Sequence, residues 1–176
     1  MKIVIINGAP TVGKDSFVSC CNKHTVWCGN FSTVDFVKEL AAQCGWNGTK
    51  TLENRKFLSD LKDLLTDWGD VPFKKVKEQI EAFAGNMRVY GFSPENEGIV
   101  FVHCREPKEI AKFVEQLGAI TLLIRREAAE NGEKSNHADT DVFNYKYDYV
   151  IENNGTFEEL EQKAKWFLQE MNCRIL

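Results

Sequence analysis

A nine-residue stretch, Gly8-Ala9-Pro10-Thr11-Val12-Gly13-Lys14-Asp15-Ser16, restricts this chain's fold more than any other. The residues before it, Lys2-Ile3-Val4-Ile5-Ile6, read as a buried strand, and those after it open a helix. Gly8 and Gly13 let the backbone turn so that successive N–H groups converge on an anion, and the dipole of the following helix adds its positive end. Lys14 then reaches the outer phosphates. The spacing G-x-x-x-x-G-K at a strand-to-helix junction is that of a phosphate-binding loop. Asp15 stands where many such loops carry a Ser or Thr that ligates magnesium, so either Ser16 or Asp15 is expected to take that role.

The remaining elements follow from periodicity. After a first helix from Lys14 to about Lys23, Thr25-Val26-Trp27-Cys28 reads as the second strand. Ser32 with Asp35 then reads as a capping box for a helix ending at Cys44-Gly45. Leu58, Leu61, Leu65 and Trp68 recur at helical spacing up to Gly69, and Phe73, Val76, Ile80 and Phe83 do so in a helix that starts near Pro72 and stops at Gly85. Residues 86–98 read as a loop. Ile99 to Cys104 is a near-continuous apolar run, the pattern of a strand buried on both faces. A helix from Pro107 to Gly118, a strand from Ala119 to Ile124, a polar excursion from Arg125 to Asn144, a strand Asp148-Tyr149-Val150-Ile151 and a helix capped by Thr156 complete the chain.

Alternating strands and helices predict an α/β three-layer sandwich, a five-stranded parallel sheet with helices on both faces. The 176 residues suit a single domain, 1–176, with a helical insertion after strand two over residues 33–85 and a lid after strand four over residues 125–144. Both excursions lie over the C-terminal edge of the sheet, where ligands bind in open α/β folds.

Composition narrows the partners. Lys and Arg total 22 against 26 Asp and Glu, a net charge of −4, so no basic surplus points to a nucleic-acid polymer or an anionic membrane. No apolar run approaches the ~20 residues that span a bilayer, and the cytosol is the expected compartment. The six cysteines contain no C-x-x-C pair and read as free thiols. Cys20-Cys21, His24 and Cys28 lie close together, but adjacent cysteines face different sides of a helix, which argues against a metal site.

A phosphate loop implies a nucleotide without naming a reaction. The D-x-x-G and N-K-x-D spacings of GTPase switches do not occur. Gly8-Ala9-Pro10-x-x-Gly13-Lys14-x-Ser16 resembles the loop of P-loop nucleoside monophosphate kinases, and its Gly-Lys-Asp-Ser form is more similar to the phage and bacterial deoxynucleoside monophosphate kinase group. Asp35 to Glu39 followed by Gly45-Trp46-Asn47-Gly48, Arg105-Glu106-Pro107 and Tyr147 to Thr156 agree with that group in layout.

The resemblance implies ATP as donor, magnesium at Asp15 or Ser16, and transfer to a nucleoside or deoxynucleoside monophosphate. Gly8 to Ser16 would hold the donor, with Lys14 at its β- and γ-phosphates. Asp35 and Lys38 would meet the acceptor and Arg105 its phosphate. Arg125 or Arg126 would close on the transferring group, with His137 and Asp139 as further lid candidates. Trp46 is a stacking candidate, and Arg55, in a basic cluster with Lys50 and Lys56, is a candidate for the acceptor. A homodimer is allowed for.

The pattern departs from the group at His103, where an Asp commonly precedes the arginine by two residues. A neutral imidazole is a poor magnesium ligand. Asp35 reads equally as a first-turn carboxylate stabilised by the helix dipole, and the Lys50, Arg55, Lys56 cluster equally as a solvated helix face. Two other functions stay open: a small-metabolite or dephospho-coenzyme-A-like kinase, with Asp35 as base, and a nucleotide-binding module without turnover.

Overall fold

Parallel pairing places five strands, β1 Lys2–Asn7, β2 Trp27–Ser32, β3 Gly98–His103, β4 Ile120–Arg125 and β5 Tyr149–Glu152, in the order β2-β3-β1-β4-β5. The structure is a computed structural model and describes residues 1–130 and 142–176. Its helices are α1 Lys14–His24, α2 Asp35–Gln43, α3 Leu52–Gly69, α4 Val71–Val89, α5 Pro94–Glu97, α6 Pro107–Leu117, α7 Glu127–Glu130 and α8 Phe157–Glu170, with a 3-10 turn at Val142–Asn144.

Alternation along the strands divides the core into two layers. Val4, Ile6, Ile99, Phe101, Leu122 and Ile124 face α1 and α8, where Phe17 meets Phe101 and Phe167 edge to face at centroid distances of 6.2 and 5.8 Å. Ile5, Val100 and Val102 face the opposite way, onto Phe73, Val76 and Ile80 of α4 and Ile110 and Phe113 of α6. The expected α/β sandwich is therefore the one observed, and β1, sandwiched between β3 and β4, delivers the glycine loop to the centre of the C-terminal edge.

Several local expectations change under tertiary pairing. The second strand is not Thr25 to Cys28 but Trp27–Ser32, because it pairs with β3 from Trp27 opposite Gly98 to Ser32 opposite His103. Thr25 instead bridges Ile175 near the end of the chain. Ser32 thereby becomes a strand end, and its hydroxyl accepts from Val34 N at 3.4 Å; the capping box with Asp35 does not form. Gly85 does not stop α4, which continues to Val89 because Ala84 and Met87 are buried on its inner face. The loop 86–98 is thus shorter than expected and contains α5.

The insertion after β2 comprises α2, α3 and α4. Leu58, Leu61 and Leu65 of α3 are half-buried, whereas Trp68 is 78% exposed. Among the described residues no helix is long and apolar enough to cross a membrane.

The caps of α3 and α8 follow sequence rules: Thr51 and Thr156 accept from the N–H groups of Asn54 and Glu159. Replacing a capping threonine by alanine removes the acceptor for one orphan amide. Thr156→Ala is expected to cost about 1 kcal/mol in urea-unfolding free energy with an unchanged m-value. A loss indistinguishable from zero would mean that water serves that amide equally well.

Candidate functional site

The glycine loop rises from the end of β1 and closes on α1. Gly8 has φ 148° and Gly13 φ 98°, and neither has room for a side chain: a Cβ at Gly8 would overlap the Ile124 carbonyl, and one at Gly13 the Asn153 side-chain amide. Thr11 also adopts a positive φ of 64°. No side chain caps α1, and the acidic residue of its first turn is Asp15. Lys14 lies back along the loop, its Nζ donating to Gly8 O at 2.6 Å and Ala9 O at 2.8 Å.

Two asparagines fasten this loop, and neither is among the expected site residues. Asn7, fully buried, accepts from Gly8 N at 2.8 Å through Oδ1 and donates from Nδ2 to Tyr147 Oη at 2.7 Å and Arg105 O at 3.4 Å. Asn153, also buried, donates from Nδ2 to Val12 O at 2.8 Å, and its backbone N–H donates to Arg125 O at 2.7 Å. The available signal was an amide side chain directly at the end of a buried strand, where a polar group needs a partner.

His103, at the end of β3, stands beside the loop. Its Nε2 lies 2.9 Å from Asn30 Oδ1 and 3.7 Å from Asp15 Oδ1. Burial pushes its pKa below the ordinary histidine value; Asp15 and Asp35 pull it upward, and Lys14 and Arg105 push it down. The imidazole is therefore neutral at pH 7.

The remaining candidates divide by position. Arg105 is half-buried two residues beyond β3, with its carbonyl tied to Asn7. Arg125 ends β4, its guanidinium 5.5 Å from the Phe143 ring centre and 3.8 Å from Glu152, while Arg126 is exposed beside it. Asp35 and Lys38 pair at 3.6 Å on the first turn of α2. Trp46 closes its own loop by donating to Thr49 O at 3.2 Å, and Arg55 is exposed near the start of α3. Neither hydrogen-bonds to the loop cluster among the described residues. His137 and Asp139, and most of the 125–144 lid, lie outside the described residues.

Magnesium binds oxygen, keeps several waters and is held through one or two carboxylates plus substrate phosphates. Asp15, with a side chain 94% exposed at the start of α1, and the neighbouring exposed Ser16 supply such oxygens where the outer phosphates of a bound nucleotide would lie. The donor set fits an ion shared with substrate. His103, already engaged with Asn30, does not supply an oxygen ligand.

A buried ion pair sets the insertion against this edge. Lys62 of α3 donates to Glu109 of α6 at 2.6 Å, with both side chains largely shielded, and the Cys104 thiol donates to the same carboxylate oxygen at 3.3 Å. Burial and the Glu109 charge push the Cys104 pKa well up, so it is held as a thiol.

Several solved structures superpose on nearly the whole chain. A tunicamycin resistance protein from Deinococcus radiodurans superposes with a TM-score of 0.54 at 12% identity, covering 99% of this chain and 97% of that one. A sugar kinase from a Janibacter species gives 0.52 at 10% identity over 98% and 96%, and shikimate kinase from Aquifex aeolicus 0.51 at 12% over 96% and 97%. The chain shares the α/β fold of these three proteins. The sequence matches no protein-family model and no curated protein. The glycine loop and the β3 end of this chain lie at the C-terminal edge of the sheet, where open α/β sheets bind ligands.

Proposed function

We propose that the protein is an ATP-dependent kinase whose acceptor is a nucleoside or deoxynucleoside monophosphate. The observation that carries this reading is the glycine loop at the end of β1, with Lys14 lying along it, Asp15 3.7 Å from His103 at the end of β3 and the Arg105 backbone tied to Asn7 at the loop's start. Phosphoryl transfer depends on positioning and charge neutralisation more than on covalent chemistry.

Each residue has a distinct task. The loop amides and Lys14 bind the donor's outer phosphates, and Lys14 leaves its carbonyl partners to do so. Asp15 and Ser16 would hold magnesium, which would supply neutralisation of phosphate charge. Arg105 holds the acceptor phosphate, while Asp35 and Lys38 orient the acceptor from α2. An oxygen of that phosphate bonds to the γ-phosphorus as the bond to the β–γ bridging oxygen breaks, leaving ADP. The acceptor is already a dianion, so no strong general base is needed. Arg125 or Arg126, at the end of β4, would stabilise charge on the group in flight.

A second reading takes support from the sugar kinase and shikimate kinase among the similar structures. An alcohol acceptor requires a base, and Asp35 beside Lys38 is the candidate.

ADP release from ATP and magnesium distinguishes the two, measured against ribo- and deoxyribonucleoside monophosphates, sugars, shikimate and dephospho-coenzyme A. Turnover with one monophosphate alone is the expected result. Turnover only with an alcohol transfers the assignment to the second reading. ATP binding without turnover on any acceptor would leave a nucleotide-binding module.

A further inference from the structure

We infer that Asn7 and Asn153 are positioning residues that hold the phosphate loop in its anion-binding shape and fix it against the backbones of Arg105 and Arg125. The inference rests on the reading of the loop as a phosphate site and concerns what keeps that site formed.

The loop needs an external brace. Two of its residues are glycines at positive φ, and glycine loses more conformational freedom on folding than any other residue. The brace consists of one asparagine at each end. At the start, Asn7 Oδ1 accepts the Gly8 N–H and fixes the first turn of the loop. Its Nδ2 faces two oxygens, Tyr147 Oη and Arg105 O, and Tyr147 in turn donates to Val142 O at 2.8 Å. At the end, Asn153 Nδ2 holds Val12 O, and the amide packs so closely on Gly13 that no Cβ would fit.

Planarity of the peptide gives the second bond its consequence. A trans peptide directs its C=O and N–H oppositely. With the Val12 carbonyl held by Asn153, the Gly13 N–H is turned away from Asn153 and cannot rotate without breaking that hydrogen bond. The backbone N–H of Asn153 also binds Arg125 O, so one residue fixes both the loop's end and the end of β4. Asn7 does the same for the loop's start and Arg105. Both amides are buried, where a polar group without partners is costly, and the bonds of both go to the loop or to the segments that flank it.

The test separates donation from packing. Asn153→Asp keeps the shape but presents a second oxygen to Val12 O; Asn7→Asp keeps the acceptor for Gly8 N and loses donation to Tyr147 and Arg105 O. Asn153→Ala, which introduces no charge, is the companion where the aspartate variant fails to fold. ADP and tripolyphosphate, each with magnesium, serve as probes for titration calorimetry on the full chain, and tripolyphosphate reads the phosphate site without a base.

Each variant is expected to weaken both probes by a similar factor of about 10-fold or more, the scale of a lost hydrogen bond that leaves a buried partner unsatisfied, with the far-ultraviolet circular dichroism unchanged. Equal affinity in wild type and variants overturns the positioning role. Weakening of ADP alone, with tripolyphosphate unaffected, also overturns it, since the loss would then lie at the nucleoside. If the wild type itself binds neither probe, the phosphate-site reading fails first and the inference with it.

Discussion

Lys14→Ala is expected to lower ATP turnover by about 10²–10³-fold or more, the scale seen when one preorganised electrostatic group is removed from a transition state. The ammonium lies within 2.6 and 2.8 Å of the Gly8 and Ala9 carbonyls, on the loop where the donor's outer phosphates would sit. Its charge matters most where negative charge moves from the γ-phosphoryl group to the β-phosphate, so the loss should fall on kcat more heavily than on donor affinity. Initial rates of ADP release at several ATP concentrations separate the two parameters. Removing two backbone partners of a partly exposed lysine leaves the carbonyls open to water, so melting should change little. Unaltered kcat in a variant that still folds would remove the loop from the chemistry and favour another site on the sheet edge.

The largest expected effect on stability lies at Lys62. Its ammonium and the Glu109 carboxylate are 2.6 Å apart with side chains only 13% and 10% exposed, so solvent screens the pair weakly. Lys62→Met strands a largely buried carboxylate that keeps the Cys104 thiol as a donor, and breaking such a pair costs about 3–5 kcal/mol. For a chain of this length that corresponds to a melting temperature lower by about 10 °C. Replacing both members, Lys62→Met with Glu109→Leu, is expected to restore most of the stability, because the cost comes from the unpaired charge rather than from loss of a strong attraction. Urea unfolding of the two single variants, the double variant and wild type completes the cycle. A double variant as unstable as Lys62→Met would show instead that packing around the pair, not its charge, holds α3 against α6.

Sequence and tertiary structure divide this protein along physical lines. Local rules settled the elements whose causes are local. The glycine spacing fixed the loop between β1 and α1, Pro107 and Gly118 bounded α6, Thr156 capped the last helix, and alternation of strands with helices implied a parallel sheet with two covered faces. Charged residues after β3 and at the start of α2 were legible as site candidates because strand ends in such sheets open onto a ligand crevice.

Other features depended on partners far away in the chain. The true extent of β2 came from its pairing with β3, which drew Ser32 out of a capping role. Burial of Met87 carried α4 through Gly85, whose intrinsic penalty of about 1 kcal/mol packing can offset. The bracing of the loop by Asn7 and Asn153 joins residues up to 141 positions apart. The Lys62–Glu109 pair joins an insertion helix to the core across 47. No periodicity records such contacts, since an amide at a strand end and a lysine on a helix look the same in sequence whether they meet water or a buried partner. The chain alone determined a parallel α/β fold carrying a glycine loop between β1 and α1; tertiary packing decided what holds that loop in shape and which charges stand beside it, because those contacts exist only once the sheet has brought distant strand ends to one edge.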